Sequence, residues 1–414
     1  MIKPYISKIH INDLHHLQDI EIPLRGADAP HLIVTGRNGS GKTLLLSAIA
    51  DFLNIIKDDR QLSFLEYGSL AEFHRKRLES PERDTADRAR SRSMIEHIEQ
   101  KERELNGRVT LEIEDIAGLV EAYSRGEFVI AFYGAARRAD MVQPRSPGKP
   151  VLDDSRINSS LSPELLSFLS DLKIQEALAR NEGDDAYADR VADWFRRFEK
   201  FLGDVMDDPQ LRLRFNYRDY SFMIKSQGRT FPFSAISDGF LAVLDIVADL
   251  MLRMQGHSGL TADFSRPGIV LIDEVETHLH LRLQRLILPM LTSLFPNIQF
   301  IVTSHSPFVL CSLNNATAFD LGHRRPVASP AEYSWETIAQ EYFGVQAVSG
   351  YARARLSRLE QLLQAPQLSA AERAEARDLL ADFRRIPEAA APGLAGAFLQ
   401  LTIQYYDRIA GLEA

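Results

Sequence analysis

The stretch Gly36-Arg37-Asn38-Gly39-Ser40-Gly41-Lys42-Thr43 constrains this chain more than any other. It fits G-x-x-x-x-G-K-[ST], and its setting is the one that pattern requires. The apolar run His31–Thr35 reads as a buried strand before it. Lys42 to about Ile56 reads as a helix after it, with Leu44, Leu45, Ala48, Ile49 and Phe52 on one face. Glycines let consecutive backbone N–H groups curl around phosphate oxygens, and the helix N-terminus adds partial positive charge. Lys42 is placed to reach β and γ phosphates, and Thr43 offers a hydroxyl to Mg²⁺. The predicted cofactors are therefore ATP and Mg²⁺, with Gly36, Asn38, Gly39, Ser40, Gly41, Lys42 and Thr43 binding the nucleotide.

A phosphate loop of this kind needs an acid at the end of a neighbouring strand to hold the metal. The stretch Pro267–Ile272 is apolar and runs directly into Asp273 and Glu274. A bare carboxylate at a core edge costs several kcal/mol unless something pairs with it. Asp273 fits as a metal ligand with Thr43, and Glu274 as the base that polarises the attacking water. Two weaker signals accompany the pair. Ser237-Asp238-Gly239 opens an apolar helix, either as a phosphate-binding N-terminus or as an ordinary N-cap. His305, in Thr303-Ser304-His305-Ser306-Pro307, ends another buried strand, as a γ-phosphate contact or as a structural histidine. His278 and His280 lack a third ligand, which argues against zinc.

The order of these motifs resembles the RecF/SMC-like branch of the ABC ATPases. GRNGSGKT looks like Walker A, ISDGF like the signature, LIDE like Walker B, and SHS like the switch histidine. DEVETHLHL is similar to the D-E-P-E-x-H-L-H-P stretch of OLD-like bacterial ATPases, with Val275 and Leu281 replacing two prolines. The resemblance covers roughly residues 1 to 325. It implies an α/β fold: an ABC-type head with a mixed sheet, helical insertions forming a second lobe, and an all-helical C-terminal region. It also implies ATP hydrolysis, with Glu274 and His305 catalytic and with Ser237, Asp238 and Gly239 closing over a nucleotide held by a second protomer. A homodimer or higher homo-oligomer is the implied assembly. One motif departs from the pattern: where a Q-loop belongs, after FVIAFYG, stand Ala135-Ala136-Arg137-Arg138. Gln143 is a loose alternative, and Arg137 or Arg138 either faces the nucleotide or lies on the surface.

The length of 414 residues suggests roughly two to three domains. The divisions read are 1–140, with a charged helical insertion at 57–106; a helical lobe at 141–210; the signature, Walker B and switch half at 211–327; and helices at 328–414. The last region has helical stretches at 334–342, 350–364, 370–384 and 393–411. Within it, Leu356, Leu359, Leu362 and Leu363 share one helix face, to be covered by the ATPase core or by a partner. Residues 57–106 read as solvated helices, with a nucleic-acid contact as the alternative. A net charge of −9 argues against binding DNA or RNA by charge alone, although a local basic groove stays open. The single cysteine, Cys311, allows no disulfide frame, and no apolar run reaches membrane-span length. With a start that lacks a signal-peptide core, the chain is read as cytoplasmic and without a membrane partner.

There is no acid cluster of Toprim type after residue 310 and no sustained heptad arm. The resemblance then points to ATPase subunits of anti-phage defence systems, such as Septu, PARIS and retron types, that work beside a separately encoded effector. The alternatives are a RecF-like DNA-binding repair ATPase and an ATP-assembled scaffold with little turnover.

Overall fold

Alternation of apolar and polar residues builds the first element of the fold, an N-terminal hairpin. In the computed structural model, β1 (Ile6–Leu14) and β2 (Leu17–Pro23) pair antiparallel, with Ile9 opposite Ile22 and Ile11 opposite Ile20. All four isoleucines are buried on one face. The structure describes residues 4–24, 30–58, 63–79, 85–137, 141–144, 156–255, 264–328, 330–344, 349–387 and 392–413. They fall into two compact units, Met1–Ser334 and Trp335–Ala414.

In the first unit the hairpin leads to β3 (His31–Thr35) and α1 (Lys42–Asp58). The charged insertion comes next as α2 (Tyr67–Glu79) and α3 (Thr85–Asn106), packed on each other and bridged by Arg75 to Glu99 at 2.9 Å. After it stand β4 (Val109–Ile113), α4 (Ile116–Ser124) and β5 (Val129–Tyr133). The helices expected over 141–210 are α5 (Leu165–Glu182) and α6 (Asp185–Met206); residues 145–155 lie outside the described residues. Gly183, at φ +81, ends α5, and the Asp184 carboxylate caps the start of α6.

Three short strands, β6 (Arg212–Asn216), β7 (Ser221–Ser226) and β8 (Arg229–Pro232), form an antiparallel sheet of their own. Then come α7 (Asp238–Arg253), β9 (Gly268–Ile272), α8 (Leu281–Leu294), β10 (Ile298–Thr303), α9 (Pro307–Leu310), β11 (Ala316–Asp320) and β12 (Arg325–Val327).

The expected α/β head is present, and among the described residues its strands form three sheets, of which one is largely parallel. That sheet has the order β12-β11-β3-β10-β9-β5, parallel throughout except for the edge strand β12. The N-terminal hairpin instead joins β4 in a separate antiparallel sheet, β2-β1-β4. Helix α1 lies between these two sheets. Leu45, Ile49 and Leu53 share one core with Ile9, Ile11 and Ile22 and with Leu271 and Ile301. Gln299, fully buried, ties the layers together: its amide accepts from Ile6 N at 2.9 Å and donates to the carbonyls of Ile6 and Pro30, each at 2.8 Å. A buried amide with every bond made stabilises the layer contact instead of costing it.

The second unit comprises α10 (Trp335–Phe343), α11 (Gly350–Gln364), α12 (Ala370–Arg384), α13 (Pro392–Gln404) and α14 (Tyr406–Glu413). The helix expected over 393–411 is thus two helices. The leucine face of α11 is covered by helices of its own unit. Leu359, Leu362 and Leu363 are buried with Leu379, Leu380 and Phe383 of α12, Leu394 and Leu401 of α13, and Ile409 and Leu412 of α14. Arg355 and Arg358 pair with Asp382 and Glu375 on α12 at 2.5 and 2.8 Å.

Candidate active site

The parallel register brings three strand ends to one edge. Thr303 pairs with Val34, and Val302 with Ile272, so β3, β10 and β9 finish side by side. Ligands of open parallel sheets bind outside such carboxyl ends. Here β3 runs on into the glycine loop, β10 into Ser304-His305, and β9 into Asp273-Glu274.

The loop is shaped by glycine at two points. Gly36, at φ +144, would place a Cβ 2.8 Å from Ser40 Oγ and 3.0 Å from Gly322 N. Gly41, at φ +96, would place one 2.8 Å from Leu17 Cδ1. Both the backbone conformation and the close approach need glycine. Lys42 is buried, and its ammonium spans the loop mouth, donating to the carbonyls of Gly36 at 3.0 Å and Arg37 at 3.4 Å. Burial holds that ammonium below its ordinary 10.5, against the upward pull of Glu274, Asp273, Glu276 and Asp320. Asn38 and Gly39 are exposed at the rim, and the Ser40 hydroxyl is buried without a hydrogen-bond partner.

Asp273 is 2% exposed, and its partners are hydroxyls. Thr43 Oγ1 donates to Oδ2 at 2.9 Å, and Thr303 Oγ1 donates to Oδ1 at 2.6 Å. Thr303 also accepts from the Glu274 N–H at 2.7 Å, so one hydroxyl clasps both acids. Glu274 sits at φ +44, the left-handed region that few non-glycine residues occupy.

His305 is fixed through its backbone: its N–H donates to Glu276 Oε1. Burial, and then the Lys42 charge, hold its imidazole below the ordinary 6.5, which keeps it neutral near pH 7. Glu276 is the reverse case. Its Oε2 is buried without a hydrogen-bond partner, and burial pushes its carboxyl above the ordinary 4.5.

Ser237 is the N-cap of α7 and is exposed, yet its side chain makes no capping bond. Asp238 is also exposed. Gly239 is buried, and a Cβ there would lie 2.7 Å from the His278 carbonyl, so the start of α7 packs on the turn after Asp273-Glu274. Arg137 is 8% exposed; it lies neither on the surface nor unpaired. Its guanidinium donates to the Asp273 carbonyl at 2.7 Å and to the Glu274 carbonyl at 2.9 Å. Gln143 is exposed and donates to the carbonyl of Tyr220, in the turn between β6 and β7. Arg138 lies outside the described residues.

Residues 32–311 match the family described as "AAA domain, putative AbiEii toxin, Type IV TA system". The chain belongs to this family. The AAA domain so defined runs from β3 past α9 and contains the loop, both acids, Ser237 and His305. Over 320 residues the chain is 25% identical to "Septu protein PtuA" of Bacillus mycoides (strain KBAB4), covering 75% of this chain and 39% of that protein. It is 31% identical over 118 residues to "Retron Vc95 probable ATPase" of Vibrio cholerae serotype O1 biovar El Tor, covering 28% and 23%. It is 36% identical over 96 residues to "Retron Ec83 probable ATPase" of Escherichia coli, covering 23% and 18%. The chain thus spans 39% or less of the length of these curated relatives. Among solved structures, an Smc head bound to the C-winged helix domain of ScpA aligns at 14% identity and a TM-score of 0.36, covering 77% of this chain and 94% of that one. The SMC head domain from Thermotoga maritima aligns at 13% and 0.35, covering 76% and 94%.

Within the AAA domain, the structure brings Lys42, Thr43, Asp273, Glu274 and His305 to one strand edge. The sequence assigned no role to Thr303 or to Glu276, which lies within the DEVETHLHL stretch, and it left the place of Arg137 open. Thr303 stood next to the SHS stretch, at the last position of a buried strand, which was its one sequence signal.

Proposed function

We propose that the chain binds Mg-ATP on the loop Gly36–Thr43 and hydrolyses it, with Glu274 as general base. The carrying observation is the 2.9 Å bond from Thr43 Oγ1 to Asp273 Oδ2. It joins the hydroxyl at the start of the loop's helix to the buried acid at the end of β9, which β10 separates from the loop's own β3, the pair that holds Mg²⁺ in P-loop NTPases. The donor set fits a hard cation and a polyphosphate: oxygen ligands, glycine-shaped backbone, a buried lysine and a spare buried hydroxyl on Ser40. Bound Mg²⁺ supplies neutralisation of phosphate charge. Lys42 binds the phosphates, Glu274 takes the proton from water, and neutral His305 donates toward the γ-phosphate side.

A head-to-tail sandwich of two copies belongs to the same reading, with Ser237, Asp238 and Gly239 of one copy closing over the nucleotide of the other. Supporting it, the exposed Ser237 hydroxyl makes no bond to the helix it heads. Ser237→Arg is expected to keep ATP binding and lose hydrolysis, whereas Lys42→Ala loses binding itself. Normal turnover in Ser237→Arg would sink the sandwich, and unchanged affinity in Lys42→Ala would sink the nucleotide site.

The chain acts, on this reading, as the ATPase component of a cytoplasmic anti-phage defence system, gating a separately encoded effector. The alignment with the Septu protein over 75% of the chain supports this. Co-purification of the product of an adjacent gene is the expected result. DNA-stimulated turnover without such a partner would favour a repair ATPase instead.

A further inference from the structure

We propose that Arg137 is a positioning residue for the Glu274 base: its guanidinium fixes the backbone of the Asp273-Glu274 pair and so aims the Glu274 carboxylate. The inference rests on the ATPase reading above and adds a residue to it.

Arg137 comes four residues after Tyr133, the last residue of β5, in a turn where its own N–H donates to Ala135 O at 3.0 Å. One nitrogen of its fork donates to Asp273 O at 2.7 Å and to Gly134 O at 3.2 Å; the other donates to Glu274 O at 2.9 Å. Two successive carbonyls held by one rigid, planar group fix the peptide between them. A lysine, a point charge on a flexible stem, does not reproduce that fork.

Among the described residues Arg137 forms no ion pair, the carboxylates of Asp245, Asp273, Glu276 and Glu274 acting on it only from farther off, and its Nε has no hydrogen-bond partner, so its burial is unfavourable. Such a group persists where its geometry is needed. The peptide it holds is also the strained one. Glu274 adopts φ +44, and the rest of its backbone is gripped from the other side, with its N–H on Thr303 Oγ1 at 2.7 Å. Asp273 N–H, in turn, donates to Tyr133 O at 2.8 Å. Thus β5 and the turn after it hold the Asp273 N–H and both carbonyls of the pair, while Thr303 of β10 holds the Glu274 N–H. Strain that is over-determined on every side marks a residue whose direction matters.

None of these bonds involves the phosphate loop or the Thr43–Asp273 contact. Removing the guanidinium therefore leaves nucleotide binding and misdirects the base. The test uses the full chain with Arg137→Ala and Arg137→Lys, measuring ATP affinity, kcat, KM and thermal midpoint. The expected result is a kcat lower by about 10- to 100-fold, the size of effect a small misplacement of a catalytic group produces. KM and affinity stay within about twofold, since ground-state binding is untouched. Guanidinium ion at sub-denaturing concentration restores part of the Arg137→Ala turnover, and urea at equal concentration does not.

Undiminished kcat in Arg137→Ala overturns the proposal. Loss of ATP affinity together with turnover also overturns it, because Arg137 would then be a nucleotide ligand. Should Arg137→Ala fail to fold, Arg137→Lys decides: full turnover there means the fork is not needed and the proposal falls. Absence of turnover in the unaltered chain would overturn the ATPase reading and this inference with it. Turnover in the unaltered chain with no effect of substitution overturns this inference alone.

Discussion

Thr303→Val isolates the clasp beneath the acid pair. Valine keeps the shape of threonine in β10 and removes one hydroxyl, and with it two bonds. One is the 2.6 Å donation to Asp273 Oδ1; the other is the 2.7 Å acceptance from Glu274 N–H. Thr303 is wholly buried, so water does not replace either. A hydrogen bond to a charged group contributes about 1.5–3 kcal/mol, and an orphaned buried N–H costs about 1–3 kcal/mol. The extra buried methyl of valine returns roughly 0.8 kcal/mol. The net expectation is a loss of about 2–5 kcal/mol of stability. Urea unfolding reads it through Trp194, buried in the first unit, in a Trp335→Phe background that silences the second unit's tryptophan. An unchanged midpoint at an unchanged slope would refute the reasoning, because Asp273 and the strained Glu274 would then be held by something other than Thr303.

Two other perturbations arise from the packing. His31 is buried and neutral, its Nδ1 accepting from Phe300 N at 3.1 Å, and burial lowers its pKa to about 4. Between pH 6.5 and about 4 the unfolded chain therefore binds a proton that the native chain does not, so stability falls as pH falls through that window. His31→Asn keeps an acceptor and removes the titration. On acidification the unfolding free energy of the unaltered chain, from urea titration, should fall by about 3 kcal/mol more than the variant's, and parallel pH profiles would contradict this. Gly239→Ala sets two effects against each other: alanine favours helix by about 1 kcal/mol, but its Cβ would lie 2.7 Å from the His278 carbonyl. Overpacking against backbone costs about 1–3 kcal/mol, so the thermal midpoint should fall; a rise would mean that the start of α7 moves freely off that turn.

Much of the site was legible because its chemistry is local in sequence. A strand, a glycine loop and a helix start announce Lys42 and Thr43, and an apolar run ending in two acids announces Asp273 and Glu274. Thr303 and Arg137 were not legible as partners of those acids. Their roles arise from strand order, with β5 and β10 flanking β9, and no short window of sequence encodes strand order. The short strands β11 and β12 were missed for a related reason. The apolar alternation of β11 spans five residues, and its place beside β3 is decided by tertiary pairing. The leucine face of α11 was visible as a pattern, but a pattern does not say which element covers it. The answer, three neighbouring helices of the same unit, needed the packing.

Glu274→Gln tests the central claim most directly. The substitution leaves the backbone bonds to Thr303 and Arg137 and the Thr43–Asp273 contact in place, and removes only the carboxylate proposed as the base. Its solution mass, measured by light scattering with and without Mg-ATP, should double when nucleotide is added, with ATP retained unhydrolysed in the dimer. A mass that stays the same while ATP is bound would contradict a nucleotide shared between two copies. Turnover equal to that of the unaltered chain would contradict Glu274 as the base.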